Sequence, residues 1–226
     1  MAERAPLTVG SGATMPSWTE SAPGETRIEP AEVHVWRFQL HPAPQKSPLL
    51  DVLAAYIGVE PLDVELATGP HGKPALASTA HGVHFNVSHS GSWGLVAVAR
   101  VEIGVDVEQI RPRRASARLT DRFLTDGERR LLQSRLASHR EAAFFMIWSR
   151  KEAYLKAVGV GLSVPFSAVD SSRDKLPNLD SQGQQQTGSE PWIVKEFFVD
   201  ELHPATVVAR AAQISLSFLT FARSDA

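Results

Sequence analysis

The strongest helical signal in the chain runs from Glu141 to Val158, and Gly159 and Gly161 end it, as glycine just past a helix commonly does. Extended segments flank this helix on both sides. Before it lie Val33–Leu40, Val83–Val87, Trp93–Val101 and Ile103–Glu108; after it lie Trp192–Val199, Val207–Arg210 and Ile214–Ala222. The first has the alternating, β-branched and aromatic character of a strand. Trp93–Val101 (WGLVAVARV) is apolar on both parities, as expected of a strand buried on two faces. Shorter helices are expected at Leu49–Tyr56, with Gly58 just beyond, and at Ser116–Phe123. Thr125-Asp126-Gly127-Glu128 is a capping-box pattern that opens a further helix through Leu131, Leu132 and Leu136. Strands grouped around a helical middle argue an α+β protein, and no direct sequence repeat is visible.

The remaining segments read as connections. Residues 1–30 carry Gly, Ser, Thr and Pro with little periodicity, which predicts a flexible leader, and they lack the basic-then-apolar pattern of a secretory signal. Residues 41–48 are Pro-rich, residues 69–74 (GPHGKP) form a turn, and the polar stretch 171–190 predicts a mobile loop. At 226 residues and 43% hydrophobic composition the chain can fill a real core. No apolar run approaches the about 20 residues that span a bilayer, so a membrane protein is not expected. The absence of cysteine removes disulfides, thiolate nucleophiles and Cys-based metal sites, and it fits a reducing cytoplasm.

A net charge of −2 hides an asymmetry. Residues 110–156 hold 12 Lys and Arg against 5 Asp and Glu, leaving 11 basic and 20 acidic residues elsewhere. Such a stretch is either a solvated helical face or a docking surface for something anionic.

Several side chains could carry chemistry. Asp106 and Glu108 (IGVDVE) stand at i and i+2, so on a strand both carboxylates emerge on one face about 7 Å apart, close enough to share a divalent cation. An ordinary half-exposed strand gives the same pattern. Glu152 and Lys156 stand at i and i+4 on the long helix, the spacing of a surface ion pair. A third carboxylate beside lysines also suits phosphate chemistry, if this helix faces the strand. Ser88, His89 and Ser90 follow a strand and either turn the chain or hydrogen-bond a phosphate, and Lys73 in the GKP turn offers a point charge. Three histidines (His81, His84, His89) without cysteine make a poor zinc set. No Walker loop, GxGxxG or GxSxG is present.

Taken in order, GPHGKP, FNVSHSG, IGVDVE, RFLTDGE and WSRKEAYLKAVGVGL resemble the Sfp-type 4′-phosphopantetheinyl transferase family, over about Thr68 to Pro165. The resemblance implies two similar α+β halves forming a pseudo-dimer, here residues 31–102 and 103–222, with coenzyme A in the cleft between them. It implies transfer of phosphopantetheine from coenzyme A to a serine of an acyl or peptidyl carrier protein. Asp106, Glu108 and Glu152 would be ligands of Mg2+, and Glu152 would accept the serine proton. Lys156 would assist departure of adenosine 3′,5′-bisphosphate, while Lys151, Lys73, Ser88 and His89 would contact phosphates. Arginines 111, 113, 114, 118 and 122 become candidates for docking an acidic carrier. The family reading implies a cytoplasmic monomer with neither nucleic-acid nor membrane partners. The family's longer arginine-rich segment is short here, with Lys46 the only positive residue in 41–48. A non-catalytic relative that binds carrier or coenzyme A, and a Mg2+-dependent phosphoesterase, are the alternatives.

Overall fold

The computed structural model describes residues 13–23, 27–40, 48–111, 117–179, 184–186 and 190–222. In chain order the elements are β1 (Thr19–Ser21), β2 (Glu32–Gln39), α1 (Pro48–Ile57), β3 (Leu66–Thr68), β4 (Pro74–Leu76), β5 (His84–Ser90), β6 (Trp93–Ala99) and β7 (Ile103–Val107). Then come α2 (Ala117–Phe123), α3 (Asp126–Gln133), α4 (Arg140–Val158), β8 (Lys175–Leu176), β9 (Asn178–Leu179), β10 (Gln185–Gln186), β11 (Trp192–Phe198), β12 (Pro204–Arg210) and β13 (Ser215–Phe221).

Two sheets face each other across the core. The first has the order β1-β13-β2-β6-β5 and the second β7-β12-β11-β8. Val33, Val35, Leu95 and Ala97 of the first meet Val105, Val107, Phe197 and Val207 of the second in one buried cluster. Because strand side chains alternate, each sheet has a second face to cover. On the first, Trp36, Val96 and Val98 pack against Val52 and Leu53 of α1. On the second, Val194 and Val208 pack against Tyr154 and Leu155 of α4. The outcome is a helix–sheet–sheet–helix stack of the expected α+β class. It also explains why β6 is apolar on both parities.

The two halves repeat a topology. Strand β2, helix α1 and the β5–β6 hairpin give the antiparallel order β2-β6-β5. Strand β7, helix α4 and the β11–β12 hairpin give the antiparallel order β7-β12-β11.

Three of the expected segments carry further detail. Within the expected leader, β1 pairs in parallel with β13, Ala13 and Ile28 are buried, and Trp18 packs edge-on against Phe197 and Phe218. Residues 1–12 and 24–26 lie outside the described residues. Within 171–190, β8 lies on the edge of β11 and β9 pairs with β10, while Ser171 and Leu176 are buried. Residues 180–183 and 187–189 lie outside the described residues, as do 41–47. Helix α3 ends at Gln133 rather than Leu136, because the Ser134 hydroxyl donates to Leu131 O and the Arg135 N–H to Leu132 O, which closes the last turn. Strand β13, the last among the described residues, crosses back to lie parallel to β2 in the first sheet. No helix among the described residues is long and apolar enough to cross a membrane.

Candidate active site

The site forms where α4 lies against β7. Gly104 permits the approach: a Cβ there would stand 2.0 Å from Ala153 O and 2.5 Å from Ala157 N. Any side chain would push the helix off the strand. Of β7, Ile103, Val105 and Val107 point into the core between the sheets, so Gly104 and Asp106 face α4. Trp148, Glu152 and Lys156 follow one another at four-residue steps along α4 and share one face.

Asp106 is 2% exposed. Its Oδ1 accepts from Lys156 Nζ at 2.7 Å and from Ser88 Oγ at 2.8 Å, and Lys156 Nζ also donates to Ser88 Oγ at 3.0 Å. Its backbone oxygen accepts from Ser149 Oγ at 3.2 Å. Its other carboxylate oxygen, Oδ2, is buried without a hydrogen-bond partner. Ser90 Oγ donates to Glu108 Oε2 at 3.4 Å, and Trp148 Nε1 donates to Glu152 Oε1 at 3.0 Å.

The electrostatics mark the place as strained toward positive charge. Burial pushes the Asp106 carboxyl up to about 7, Lys156 opposes the rise, and the nearby Glu152 and Glu108 add to it. Glu108 is raised as well, by burial first and then by Glu152. Asp106 and Glu108 are thus each raised in part by neighbouring carboxylates, and one buried oxygen lacks a donor. A divalent cation would answer both conditions. Among the described residues no group of three such side chains stands already gathered as a ligand set. Instead, Lys156, Ser90 and Trp148 each hold one carboxylate. Asp106, Glu108 and Glu152 are oxygen donors of the kind that suit a divalent cation, and Asp106 Oδ2 is the oxygen left open.

The model of the 4′-phosphopantetheinyl transferase superfamily matches residues 102–207. A 4′-phosphopantetheinyl transferase of Bacillus subtilis is 30% identical over 153 residues, 67% of this chain and 66% of its own. The chain belongs to the 4′-phosphopantetheinyl transferase superfamily. The Bacillus pumilus 4′-phosphopantetheinyl transferase psf-1 is 32% identical over 63% of this chain and 59% of its own. HetI of Nostoc sp., another such transferase, is 39% identical over 51% of this chain and 50% of its own. The chain thus matches between half and two thirds of the length of these relatives. A solved structure, Thermotoga maritima holo-[acyl-carrier-protein] synthase, matches 51% of this chain and 64% of that one at 21% identity, with a TM-score of 0.34.

The superfamily match contains Asp106, Glu108, Glu152 and Lys156, which the fold brings together, and Ser88 joins them from β5. Lys151 stands apart from them. It is fully buried on another side of α4, paired with Glu128 at 2.7 Å, and it donates to the carbonyls of Phe166 and Val169. One residue along a helix turns the side chain by about 100°, so Lys151 cannot share the face of Glu152. Lys73 donates to Ile103 O and Ala157 O, both at 3.0 Å, and burial lowers its amine to about 8 against the pull of Glu102. It tethers the GKP turn to both β7 and the end of α4. His89 is exposed on the face of β5 opposite Ser88, on the side of Phe85 and Val87. Sequence reasoning missed Gly104, Trp148, Ser149 and Asn86. The glycine inside the IGVDVE strand was the one legible signal, since glycine there often marks close backbone approach.

Proposed function

We propose that this protein transfers the 4′-phosphopantetheine group of coenzyme A to a serine hydroxyl of an acyl or peptidyl carrier protein, releasing adenosine 3′,5′-bisphosphate. The observation that carries the reading is that Lys156 pairs with Asp106, with Glu108 and Glu152 near enough to raise its carboxyl and its second oxygen buried without a partner, in a member of this superfamily. Mg2+ held by the three carboxylates would supply the positive charge that grips the pyrophosphate and offsets charge developing there.

The chain's own groups do the rest. Trp148 fixes the Glu152 carboxylate, which accepts the proton of the attacking serine. The serine oxygen bonds to phosphorus as the bond from phosphorus to the bisphosphate oxygen breaks. Lys156 stabilises the departing oxyanion. Ser88 stands between Asp106 and Lys156, and His89 is exposed on the opposite face of β5. Lys73 spends two of its three N–H donors on the carbonyls of Ile103 and Ala157 and keeps the third for a phosphate.

An acidic carrier would dock on the basic stretch around Arg111, Arg118 and Arg122; Arg113 and Arg114 lie outside the described residues. Both repeats of the fold sit in one chain, which supports a monomer with its own cleft. The lack of cysteine supports a cytoplasmic setting.

The test is incubation with coenzyme A, Mg2+ and several apo carrier proteins, read by mass spectrometry. A gain of one phosphopantetheine on a carrier is expected. No gain on any carrier overturns the reading, and binding of coenzyme A without transfer would make this a non-catalytic relative.

A further inference from the structure

Strands β5 and β7 are edge strands of different sheets, and among the described residues no backbone ladder joins them. Side chains take the place of one. Asn86 Oδ1 accepts from Val105 N–H at 2.9 Å, Ser88 Oγ from Val107 N–H at 3.3 Å, and Ser90 Oγ from Gln109 N–H at 3.0 Å. Alternate residues of β5 thus satisfy alternate N–H groups of β7 and its continuation, which would otherwise be lost donors along a buried edge. The same three positions set the register between the halves.

Two rungs also touch the carboxylates: Ser88 donates to Asp106 and Ser90 to Glu108. Asn86 does not. It is 4% exposed, and its bond runs to the backbone of Val105. Val105 in turn offers its carbonyl to Lys156 Nζ at 3.4 Å. Val105, held at its N–H by Asn86, is therefore also the residue whose carbonyl receives the lysine, one residue before Asp106.

We propose that Asn86 is a positioning residue for the reaction centre. It locks β7 against β5 so that Asp106 and Glu108 face Ser88, Ser90 and α4. A slip of one residue would turn both carboxylates toward the apolar core, and a slip of two would break each serine–carboxylate pair. This inference rests on the reading of Asp106, Glu108 and Glu152 as the reaction centre.

The experiment compares the full-length wild type with Asn86→Leu, which keeps the bulk and removes the acceptor. A second variant, Asn86→Ser, supplies the hydroxyl acceptor used at 88 and 90. Four quantities are read: exchange of the Val105 amide proton, affinity for Mn2+ alone, and the separate kcat and KM for coenzyme A. In Asn86→Leu, Val105 exchange should quicken, and Mn2+ affinity and kcat should each fall about tenfold, as when an outer support of a metal site is lost. KM for coenzyme A should change less than about twofold, and Asn86→Ser should show a smaller loss of both. A folded Asn86→Leu with faster Val105 exchange but wild-type Mn2+ affinity and kcat overturns the proposal. Should Asn86→Leu fail to fold, Asn86→Ser decides: exchange and Mn2+ affinity must weaken together, and faster exchange alone overturns it. A wild type that neither binds Mn2+ nor transfers overturns the underlying reading instead, and the role of the rung falls with it.

Discussion

Helix α4 carries two lysines, five residues apart, that each reach a buried carboxylate at 2.7 Å, and the two pairs differ in every other respect. Glu128, fully buried, accepts from Lys151 Nζ, Thr125 N, Ser171 N and Ser171 Oγ. Both of its oxygens are used, and it ties the start of α3 and the 165–171 segment to α4. Asp106 leaves Oδ2 without a donor, lies among other carboxylates, and has its carboxyl pushed up to about 7 by burial. A buried charge supplied with enough donors fixes a structure; one left short is poised to take a ligand.

Breaking the saturated pair should have the largest effect on the fold. Lys151→Met leaves Glu128 buried without its counter-charge and should cost about 3–5 kcal/mol. Lys156→Met should cost under about 1 kcal/mol, since Lys156 is 29% exposed and the Asp106 carboxyl can take up a proton. Chemical denaturation measures both. Equal losses would erase the distinction.

The unsaturated pair has the opposite signature. The folded Asp106 carboxyl lies above its ordinary 3.8, so its ionised form destabilises the fold. That penalty is full above pH about 7 and fades as pH falls from about 7 toward 4. In metal-free buffer, Asp106→Asn should therefore stabilise the protein by on the order of 1–2 kcal/mol at pH 8, with the gain vanishing near pH 4, while transfer is lost. Melting curves across pH decide it, and a variant less stable than wild type at pH 8 would place Asp106 with the structural pairs.

Ionic strength is the mildest perturbation and touches neither buried pair. It screens the exposed arginines on and near α2, so KM for an acidic carrier should rise severalfold between about 0.05 and 0.5 M salt. A KM indifferent to salt would return Arg111, Arg118 and Arg122 to an ordinary solvated surface.

How much of this could be read along the chain depended on how local each feature is. The capping box at Thr125 and Glu128 was legible, and both reciprocal bonds form. Its further use was hidden: Glu128 also receives Lys151 and Ser171, the latter 43 residues away. The same holds for β1, a three-residue strand too short to show a period. Its place is decided by the free edge of β13 and by Trp18 packing between Phe197 and Phe218.

By itself the sequence determined the periodic elements, the shared face of Glu152 and Lys156, and the side-by-side carboxylates of Asp106 and Glu108. Helical and strand periods are properties of neighbouring residues. Only the tertiary structure decided that α4 lies against β7 across Gly104, that Lys151 turns into a buried pair while Lys156 meets Asp106, and that Asn86, Ser88 and Ser90 join two sheets. Those outcomes depend on which buried donors and acceptors meet in space, and residues 18 to 68 positions apart in the chain carry no record of that meeting in their spacing.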